Sequence, residues 1–247
     1  MTGIEILLPG FPGKADRGFF GWCSVAALKT GDDWLIVDTG SHGDRAVLLQ
    51  AMGARGIDPL AVKRLFLTHL HFDHCLNADL FANAAIIVGR KEWAYANSPL
   101  PQERGDTFVP KPYLGYLAGR RPAFVGEGDL LAPGLRVLEL PGHTPGCLGL
   151  LLEADGTLIA GDALKNPREL YHRDPVLCFD SRENALASLD RIAGLAKRVL
   201  PGHDSPFNLK GETITDRIAP RVLVTHYVDW RRRDGAVVAL PADGQGD

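Results

Sequence analysis

Apolar residues recur along the chain with two different spacings, and segments of the two kinds alternate. Short apolar runs bounded by Gly, Pro or Asp predict strands at residues 23–29, 34–38, 63–68, 85–88, 135–140, 149–153, 157–160 and 198–200. Apolar positions near a 3.6-residue spacing predict helices at residues 44–54, 76–81, 91–96 and 182–196, the last with Ser181 as its N-cap. The first two strands surround a turn at residues 31–33 and should form an antiparallel hairpin. The pattern therefore predicts an α/β fold class.

Length and composition are those of an ordinary globular chain. The 247 residues are 45% hydrophobic and 23% charged, which favours one domain over residues 1–247. The formal net charge of -3 gives no basic field that would hold a nucleic acid. No apolar stretch approaches the ~20 residues of a membrane helix, and the four cysteines form no Cys-x-x-Cys pair, so we expect a cytoplasmic protein. The basic run at residues 231–233 is interpreted as a solvated tail.

The strongest chemical signal lies directly after the strand at residues 63–68. Three histidines and an aspartate fall within six positions there: His69, His71, Asp73 and His74. Three further groups also follow short apolar runs: His143, Asp162 and His203. Packing alone would not select this pattern, and strand ends converge in α/β sandwiches. Imidazole and carboxylate ligands together suit Zn, Fe or Mn better than Ca or Mg, so the sequence predicts a transition-metal site.

Seven candidate ligands are more than one tetrahedral site can use. They divide into two sets and one bridging group: His69, His71 and His143; Asp73, His74 and His203; and Asp162. We therefore predict two divalent ions, with Zn as the first choice and Fe or Mn as alternatives. A hydroxide that bridges the two ions would be the nucleophile. Asp73 would be the catalytic residue that moves a proton between nucleophile and leaving group. The alternative is that Asp73 acts as a ligand only.

These residues in this order resemble the metallo-β-lactamase superfamily of hydrolases. The resemblance covers about residues 25–206, including residues 37–40, which look like the first loop of that family, and residues 141–146, which look like its third metal loop. It implies an αβ/βα four-layer sandwich of two mixed β-sheets, with helices outside and the metals at one edge. It also implies that Asp38 hydrogen-bonds to groups around the ligands and does not bind metal itself.

Within that superfamily the chain is most similar to the N-acyl-homoserine lactonase branch. His71 stands where flavodiiron oxidoreductases carry a glutamate, which disfavours a redox centre. Asp162 stands at a bridging position that true β-lactamases lack, which disfavours β-lactam hydrolysis. Only 44 residues follow His203, which looks short for the helical substrate domain of glyoxalase II.

Two positions differ from the lactonase pattern. Residues 76–77 are Leu-Asn where the lactonases usually have Gly-Gly, and Lys165 stands where they have a tyrosine. Lys165 could place a cation beside an anionic substrate or an oxyanion, and a salt bridge is an equal alternative. Tyr171 could stand in for the missing tyrosine or could simply be packed. His42, His172 and His226 are assigned structural or exposed roles.

Residues 98–128 have a different texture from the rest of the chain, because five prolines are interleaved with aromatic residues. A loop of this length is usually functional or disordered, and the aromatic residues argue against simple disorder. We expect this Pro/aromatic segment to be a substrate-binding flap, with Tyr113 and Tyr116 as its contacts, or to be a contact within a homodimer. The sequence leaves these two alternatives open.

The leading functional hypothesis is a metal-dependent hydrolase that opens a lactone or another carboxylic ester of a small molecule. The alternatives within the same superfamily are a phosphodiesterase or nuclease, and a thioester hydrolase of the glyoxalase II type. A nuclease would need a continuous basic groove. Glu92, Glu103 and Asp106 interrupt the positive charges around the flap, which disfavours that alternative.

Overall fold

The computed structural model describes residues 2–218, 222–226 and 236–240. The basic run at residues 231–233 lies outside the described residues. The assignment of residues 1–247 to one domain stays a prediction. Within the described ranges, no helix has the length and apolar character needed to cross a membrane.

The helices and strands are numbered in chain order. The strands are β1 Thr2–Leu8, β2 Lys14–Ala15, β3 Gly18–Phe19, β4 Val25–Thr30, β5 Asp33–Val37, β6 Arg64–Leu67, β7 Ala85–Gly89, β8 Ala123–Val125, β9 Leu130–Ala132, β10 Leu135–Glu139, β11 Leu148–Leu152, β12 Thr157–Gly161, β13 Arg198–Pro201, β14 Phe207–Lys210, β15 Thr213–Thr215, β16 Val222–His226 and β17 Ala236–Leu240. The α-helices are α1 Arg45–Gly53, α2 Phe72–Cys75, α3 Arg90–Ala96, α4 Leu100–Glu103, α5 Lys111–Gly119, α6 Pro167–Tyr171 and α7 Arg182–Leu195. Short 3₁₀ turns cover His42–Asp44, Pro59–Ala61 and Ala78–Leu80.

Two mixed sheets form the centre of the protein. One has six strands in the order β1-β4-β5-β6-β7-β8, and the other has seven in the order β15-β14-β13-β12-β11-β10-β9. The predicted hairpin is confirmed as the antiparallel pair β4 and β5, after which β5 to β8 run parallel. In the second sheet β12 and β13 run parallel and the other neighbours run antiparallel. Each sheet therefore mixes the two strand directions, as predicted.

The alternation of side chains along each strand divides the core into three layers. On β6, Leu65 and Leu67 join the cluster that contains helices α1, α3 and α5, whereas Phe66 joins the cluster between the two sheets. On β12, Leu158 joins the cluster with α7, and Ile159 joins the cluster between the sheets. Each sheet is thus covered by helices on one face and by the other sheet on the opposite face. The predicted αβ/βα four-layer sandwich is confirmed.

Helix α7 illustrates how local sequence sets an element. The Ser181 side chain accepts a hydrogen bond from the Asn184 amide, which satisfies one of the free N–H groups of the first turn, as predicted for an N-cap. Leu189 and Ile192, three positions apart, lie on the buried face against the second sheet. The helix ends at Leu195, one residue before the predicted boundary.

The structure corrects two of the predicted elements. The Pro/aromatic segment is not a long loop, because α4, α5 and β8 form within it. Its prolines allow this, since Pro101 and Pro112 stand in the first turns of α4 and α5, where a missing N–H costs nothing. The predicted helix at residues 76–81 is wrong, because the short helix α2 ends before it, at Cys75, and only the 3₁₀ turn Ala78–Leu80 forms within those residues. The bond from the Asn77 side-chain amide to the Thr39 carbonyl holds this turn against the loop after β5.

The two Leu-Pro-Gly-His repeats, at residues 140–143 and 200–203, suggest two similar half-structures. The structure does not place them in separate sheets, since they follow β10 and β13 of the same seven-stranded sheet. Both repeats nevertheless carry a histidine from a strand end towards one edge of the sandwich.

Candidate metal centre

The candidate ligands lie on four loops that leave strands at one edge of the sandwich, and a fifth loop there carries Asp38. The loop after β5 carries Asp38, and the loop after β6 carries the motif that begins at His69. The loops after β10, β12 and β13 carry His143, Asp162 and His203. Strands β5 and β6 run parallel, as do β12 and β13, so the carboxyl ends of each pair open at the same edge. The predicted convergence is present in the structure.

The first predicted set is held in close contact. Ligand-type atoms of His69, His71 and His143 all lie within 4.8 Å of one another. His71 Nδ1 and His143 Nε2 are 2.9 Å apart. All three rings are buried, so no bulk solvent separates them.

The second predicted set has the same compactness. Ligand-type atoms of Asp73, His74 and His203 lie within 4.8 Å of one another. Asp73 Oδ2 is 3.4 Å from His203 Nε2 and 3.7 Å from His74 Nε2. The two sets thus use different atoms and face each other across Asp162.

Asp162 lies between the two sets, with one oxygen on each side. Its Oδ2 is 3.3 Å from His143 Nε2 in the first set. Its Oδ1 is 3.2 Å from both His74 Nε2 and His203 Nε2 in the second set. This is the arrangement expected of a bridging carboxylate, and it gives the seven predicted residues one common centre.

Each of the five histidines has one ring nitrogen bound to the protein and the other directed into the centre. The outer nitrogens meet these acceptors: Thr68 Oγ1 for His69, Asp106 for His71, Asp38 for His74, the Leu177 carbonyl for His143 and the Trp22 carbonyl for His203. The Thr68 hydroxyl already donates to Asp38, so it can only accept from His69. Carbonyl and carboxylate oxygens likewise only accept. In the neutral rings, which are the form that binds a metal, the outer nitrogens therefore carry the protons and the inner nitrogens present lone pairs.

The donor set suits divalent transition metals. Three buried side-chain atoms of the described residues have no hydrogen-bond partner: His69 Nε2, His74 Nε2 and Asp162 Oδ1. Leaving such atoms unpaired in the interior is costly, and native proteins avoid it unless an ion or another group satisfies them. Imidazole nitrogens and carboxylate oxygens at this density match the ligand chemistry of Zn, Fe or Mn. The residues therefore fit the two ions predicted from the sequence.

The two sets differ in electrostatics. Burial, reinforced by the neighbouring His74, holds the pKa of His69 well below its ordinary value, and burial with the nearby Lys165 does the same for His143. Burial also lowers the pKa of His74 and His203, but the surrounding carboxylates outweigh it and raise both above the ordinary value. The acidic groups thus concentrate around the second set, where they attract a cation.

Asp38 occupies the position that the sequence indicated. Its carboxylate accepts hydrogen bonds from the Thr68 amide, the Thr68 hydroxyl and His74 Nδ1, each at 2.8 Å. Its backbone has a φ of 58°, a left-handed conformation that non-glycine residues rarely adopt. Such strain persists only where the surroundings impose it, here through three hydrogen bonds to one side chain. Asp38 therefore orients the ring of His74 through a hydrogen bond and does not belong to either set of ligands.

Glu92, which we expected among the surface charges around the flap, is a buried carboxylate, as is Asp106. Glu92 is fully buried at the start of α3 and accepts hydrogen bonds from the Leu70 amide and the Thr144 hydroxyl. Burial raises its pKa above the ordinary value, although both hydrogen bonds lower it. Leu70 belongs to the loop that carries the motif at residues 69–74, and Thr144 belongs to the loop at residues 141–146. Glu92 therefore sets the spacing between the loops that carry His69 and His143.

A glycine permits this contact, which gives a first prediction. A Cβ added to Gly146 would lie 2.0 Å from the Glu92 backbone nitrogen. The overlap is with backbone, so a side-chain rotation cannot relieve it. We expect Gly146→Ala to lower the free energy of unfolding by about 1–3 kcal/mol or more, as overpacked sites do. Urea denaturation of the variant and wild type measures the change.

The matched control for this variant is Gly115→Ala in α5. A Cβ there would meet nothing within 4 Å, and the added methyl should stabilise the helix by about 0.5–1 kcal/mol. Equal unfolding midpoints for the two alanine variants would contradict the close packing of Gly146 against α3.

The Pro/aromatic segment reaches the centre through residues other than those predicted. Asp106, between α4 and α5, bonds to His71, and Phe108 lies 5.5 Å from the His71 ring, measured between ring centroids. Phe179 lies 5.7 Å from His71 and 5.8 Å from both His143 and Phe108. Phe72, 39% exposed, stacks on Phe108 at 6.2 Å. The three phenylalanines are at least partly exposed and cluster beside the first set of ligands, and we call Phe72, Phe108 and Phe179 the aromatic rim.

The tyrosines predicted to contact substrate are directed elsewhere. The Tyr113 hydroxyl accepts a hydrogen bond from the Asp79 amide, and the Tyr116 hydroxyl accepts one from Arg120. Both rings pack against the core cluster beneath the first sheet. Tyr171 is 75% exposed, and its ring packs edge to face on His172. These contacts disfavour Tyr113, Tyr116 and Tyr171 as substrate contacts. The sequence could not show this, because the Pro-rich stretch has no periodicity that indicates which aromatic residue faces the centre.

Lys165 is a buried structural cation. Its ammonium group donates to the Asp162 and Val176 carbonyls and lies 3.5 Å from the Glu169 carboxylate. Burial lowers the pKa of Lys165, but Glu169 and Asp162 outweigh this and keep it above its ordinary value, so the side chain is charged. All three of its donors are directed to protein oxygens. The geometry therefore favours the salt-bridge alternative over the predicted substrate contact.

Comparison with known proteins agrees with this geometry. The family model described as "Metallo-beta-lactamase superfamily" matches residues 16–203. Metallo-beta-lactamase domain-containing protein 1 of Mus musculus is 30% identical over 226 residues, covering 85% of this chain and 76% of that protein. An N-acyl homoserine lactonase of Bacillus sp is 31% identical over 157 residues, covering 60% of this chain and 58% of the lactonase.

A solved structure supports the fold. The crystal structure of a metallo-beta-lactamase family protein from Thermus thermophilus superimposes with a TM-score of 0.59 at 24% identity, covering 83% of this chain and 75% of that one. Identity at this level supports the architecture alone.

Proposed function

The chain belongs to the metallo-beta-lactamase superfamily and is a metal-dependent hydrolase, and we propose that it uses two divalent ions, most consistent with Zn, to open a lactone or another carboxylic ester. The observation that carries the proposal is the position of Asp162, with one carboxylate oxygen towards each of two sets of ligands. Seven inward-facing donors exceed what one tetrahedral ion can use. Two neighbouring ions would use them all.

Bound ions would supply Lewis acidity that polarises a carbonyl oxygen and brings the pKa of water down to about 7. The chain supplies the group that handles the proton. The side chain of Asp73 is 14% exposed, whereas that of Asp162 is 5% exposed. Asp73 is thus the carboxylate of the centre with the greater access to a substrate. We assign it the transfer of a proton to the leaving alkoxide, a task that needs a carboxylate within hydrogen-bond reach.

The aromatic rim supports a substrate with an apolar substituent. Phe108 and Phe179 are partly exposed and lie against the rings of His71 and His143, and we assign the substrate entrance to this side. Aromatic faces in such a position bury apolar surface and exclude water from the reacting carbonyl. A small apolar ester or lactone suits this entrance better than a polyanion does.

The basic residues near the rim are already engaged within the protein. Lys111 donates to the Ala96 and Ser98 carbonyls, and Arg104 donates to the Phe179 carbonyl. Lys91 pairs with Glu139, and the Arg120 guanidinium donates to two carbonyl oxygens. Cations held in this way do not form the continuous groove that a nucleic acid requires. We therefore place ester hydrolysis ahead of phosphodiester hydrolysis.

A hydrolysis screen of the zinc-loaded protein tests this order. We expect turnover of lactones or carboxylic esters, higher for substrates with longer apolar chains, and little change between about 50 and 200 mM salt. A phosphodiesterase that contacts several phosphates would lose about 10³-fold or more in affinity over that range. Thioesters and RNA or DNA oligonucleotides complete the panel.

The alternatives give distinct outcomes in this screen. Cleavage of RNA or DNA that falls steeply with salt, together with inert lactones, would reverse the order. Preferential thioester cleavage would indicate a hydrolase of the glyoxalase II type. Exposed Lys197 directly precedes β13, at the end of the strand opposite His203, so a Lys197→Ala variant controls for nonspecific charge effects in the salt series.

A further inference from the structure

Asp106 is a buried carboxylate that reaches the metal centre from the Pro/aromatic segment. It lies between α4 and α5, and none of its side chain is exposed. Its Oδ2 accepts hydrogen bonds from His71 Nε2 at 3.0 Å and from the Tyr95 hydroxyl at 2.8 Å. Its Oδ1 accepts the Phe108 amide at 3.0 Å. One side chain thus joins a predicted metal ligand, helix α3 and the aromatic rim.

His71 differs from the other four histidines in the nitrogen that it directs inward. His69, His74, His143 and His203 present Nε2 to the centre, whereas His71 presents Nδ1, which lies 2.9 Å from His143 Nε2. Nδ1 lies farther from the Cβ–Cγ bond axis than Nε2 does. A small rotation of the ring about that bond therefore moves Nδ1 away from its neighbours. The ring therefore needs a partner on the opposite side, and Asp106 is that partner.

We propose that Asp106 is a positioning residue: it fixes the ring orientation and the Nε2–H tautomer of His71, and thereby couples the first set of ligands to the aromatic rim. This inference rests on the proposed function only in assuming that His71 binds metal. Carboxylates that hold the outer nitrogen of a ligand histidine fix its tautomer and raise its basicity. The Asp106 carboxylate is suited to this because it can only accept.

The second half of the coupling is a pair of backbone contacts. The Phe108 amide donates to Asp106, and the Phe72 amide donates to the Phe108 carbonyl at 2.9 Å. Phe72 directly follows His71 in the chain. The Pro/aromatic segment is therefore fastened to the metal loop at two points, which keeps the Phe108 ring against the His71 ring.

Tyr95 braces the carboxylate from the other side. Its hydroxyl bonds to the same Oδ2 that receives His71, and Arg104 lies over its ring at 5.8 Å. Removing this hydroxyl leaves the bond between Asp106 and His71 in place. Tyr95→Phe therefore separates bracing of the carboxylate from direct positioning of the histidine.

The test compares Asp106→Ala and Asp106→Asn with Tyr95→Phe and with Glu103→Gln, an exposed carboxylate variant from the same segment. Zinc affinity is measured by competition with a chromophoric chelator. The tautomers are measured from ¹⁵N signals of the histidine rings in the zinc-loaded protein. We expect Asp106→Ala to weaken the binding of one zinc ion by about 10–100-fold, as removal of such partners does. Asp106→Asn, which keeps the side-chain volume, should show a smaller loss.

The ring signals separate positioning from a purely structural role. We expect the Asp106 variants to shift the His71 nitrogens and leave those of His74 and His203 unchanged, with Tyr95→Phe and Glu103→Gln close to wild type. Wild-type zinc affinity with unshifted His71 signals in Asp106→Asn would overturn the inference. So would an equal weakening of both zinc ions that follows the loss of unfolding free energy.

Neither measurement uses a substrate. If the protein hydrolyses no ester but the Asp106 variants behave as expected, the positioning role stands and the ester proposal fails. If the wild type hydrolyses esters but Asp106→Ala binds both zinc ions normally, the positioning role fails alone.

Discussion

Replacing Asp73 by asparagine is expected to lower turnover of the metal-loaded protein by about 10²–10⁴-fold, the range that general acid–base groups contribute. The amide keeps an oxygen that can bind a cation but cannot take up a proton at neutral pH. Asp73 Oδ2 faces both His74 Nε2 and His203 Nε2, so the donor oxygen can remain in place. Metal content should therefore fall much less than activity does.

The decisive comparison is turnover against metal content in one preparation. Asp32→Asn, an equivalent change in the exposed turn between β4 and β5, should behave as wild type in both measurements. If the activity of Asp73→Asn merely follows lost metal, then Asp73 is a ligand and its assignment as the proton-transferring group is wrong. Asp73→Ala should lose both metal and activity, since it removes both oxygens.

Removal of metal by a chelator should reduce hydrolysis to background, and adding zinc back should restore it up to two equivalents per chain. The reason is the division of ligands around Asp162, which gives each ion its own set of inward-facing donors. Ion binding should also stabilise the fold, by about 4 kcal/mol when free zinc is 1,000 times its Kd. Elemental analysis and thermal unfolding measure the two effects.

A matched pair of histidine variants sharpens this expectation. His203→Ala removes one ligand of the second set and should lower the stoichiometry towards one. His42→Ala changes a histidine outside the centre and should keep two equivalents. A reproducible value near one for the wild type, with the ring signals of His74 and His203 unaffected by zinc, would contradict the dinuclear assignment.

Local periodicity was sufficient for the central strands of both sheets and for helices α1, α3 and α7. Strands such as β6 and β7 are short apolar runs with clear boundaries, and α7 combines a capping serine with an apolar face. The prediction was wrong where several weak signals overlapped. The Pro/aromatic segment forms α4 and α5, because prolines that interrupt a helix interior are tolerated in its first turn.

The ligand set could be recognised because its members follow apolar strands. A residue just after a strand has a predictable place at the sheet edge, so the motif at residues 69–74 and the separate His143, Asp162 and His203 are visible in the sequence. Asp38, which the family resemblance identified, likewise directly follows a strand, β5, and bonds to His74. For these residues, the position in the chain already indicated the position in space.

The groups that complete the site depend on the tertiary structure alone. Asp106 meets His71 across 35 positions, and Phe179 reaches the rings of His71 and His143 from the loop before α7. Lys165 follows Asp162 closely in sequence, yet its ammonium group is engaged by the Asp162 and Val176 carbonyls and by Glu169. The central strands, helices α1, α3 and α7 and the seven donors could be predicted from the sequence, since they follow from short-range periodicity and from positions directly after apolar runs. Which carboxylate holds His71 and which aromatic rings face the substrate depended on contacts between distant segments, which local patterns do not record.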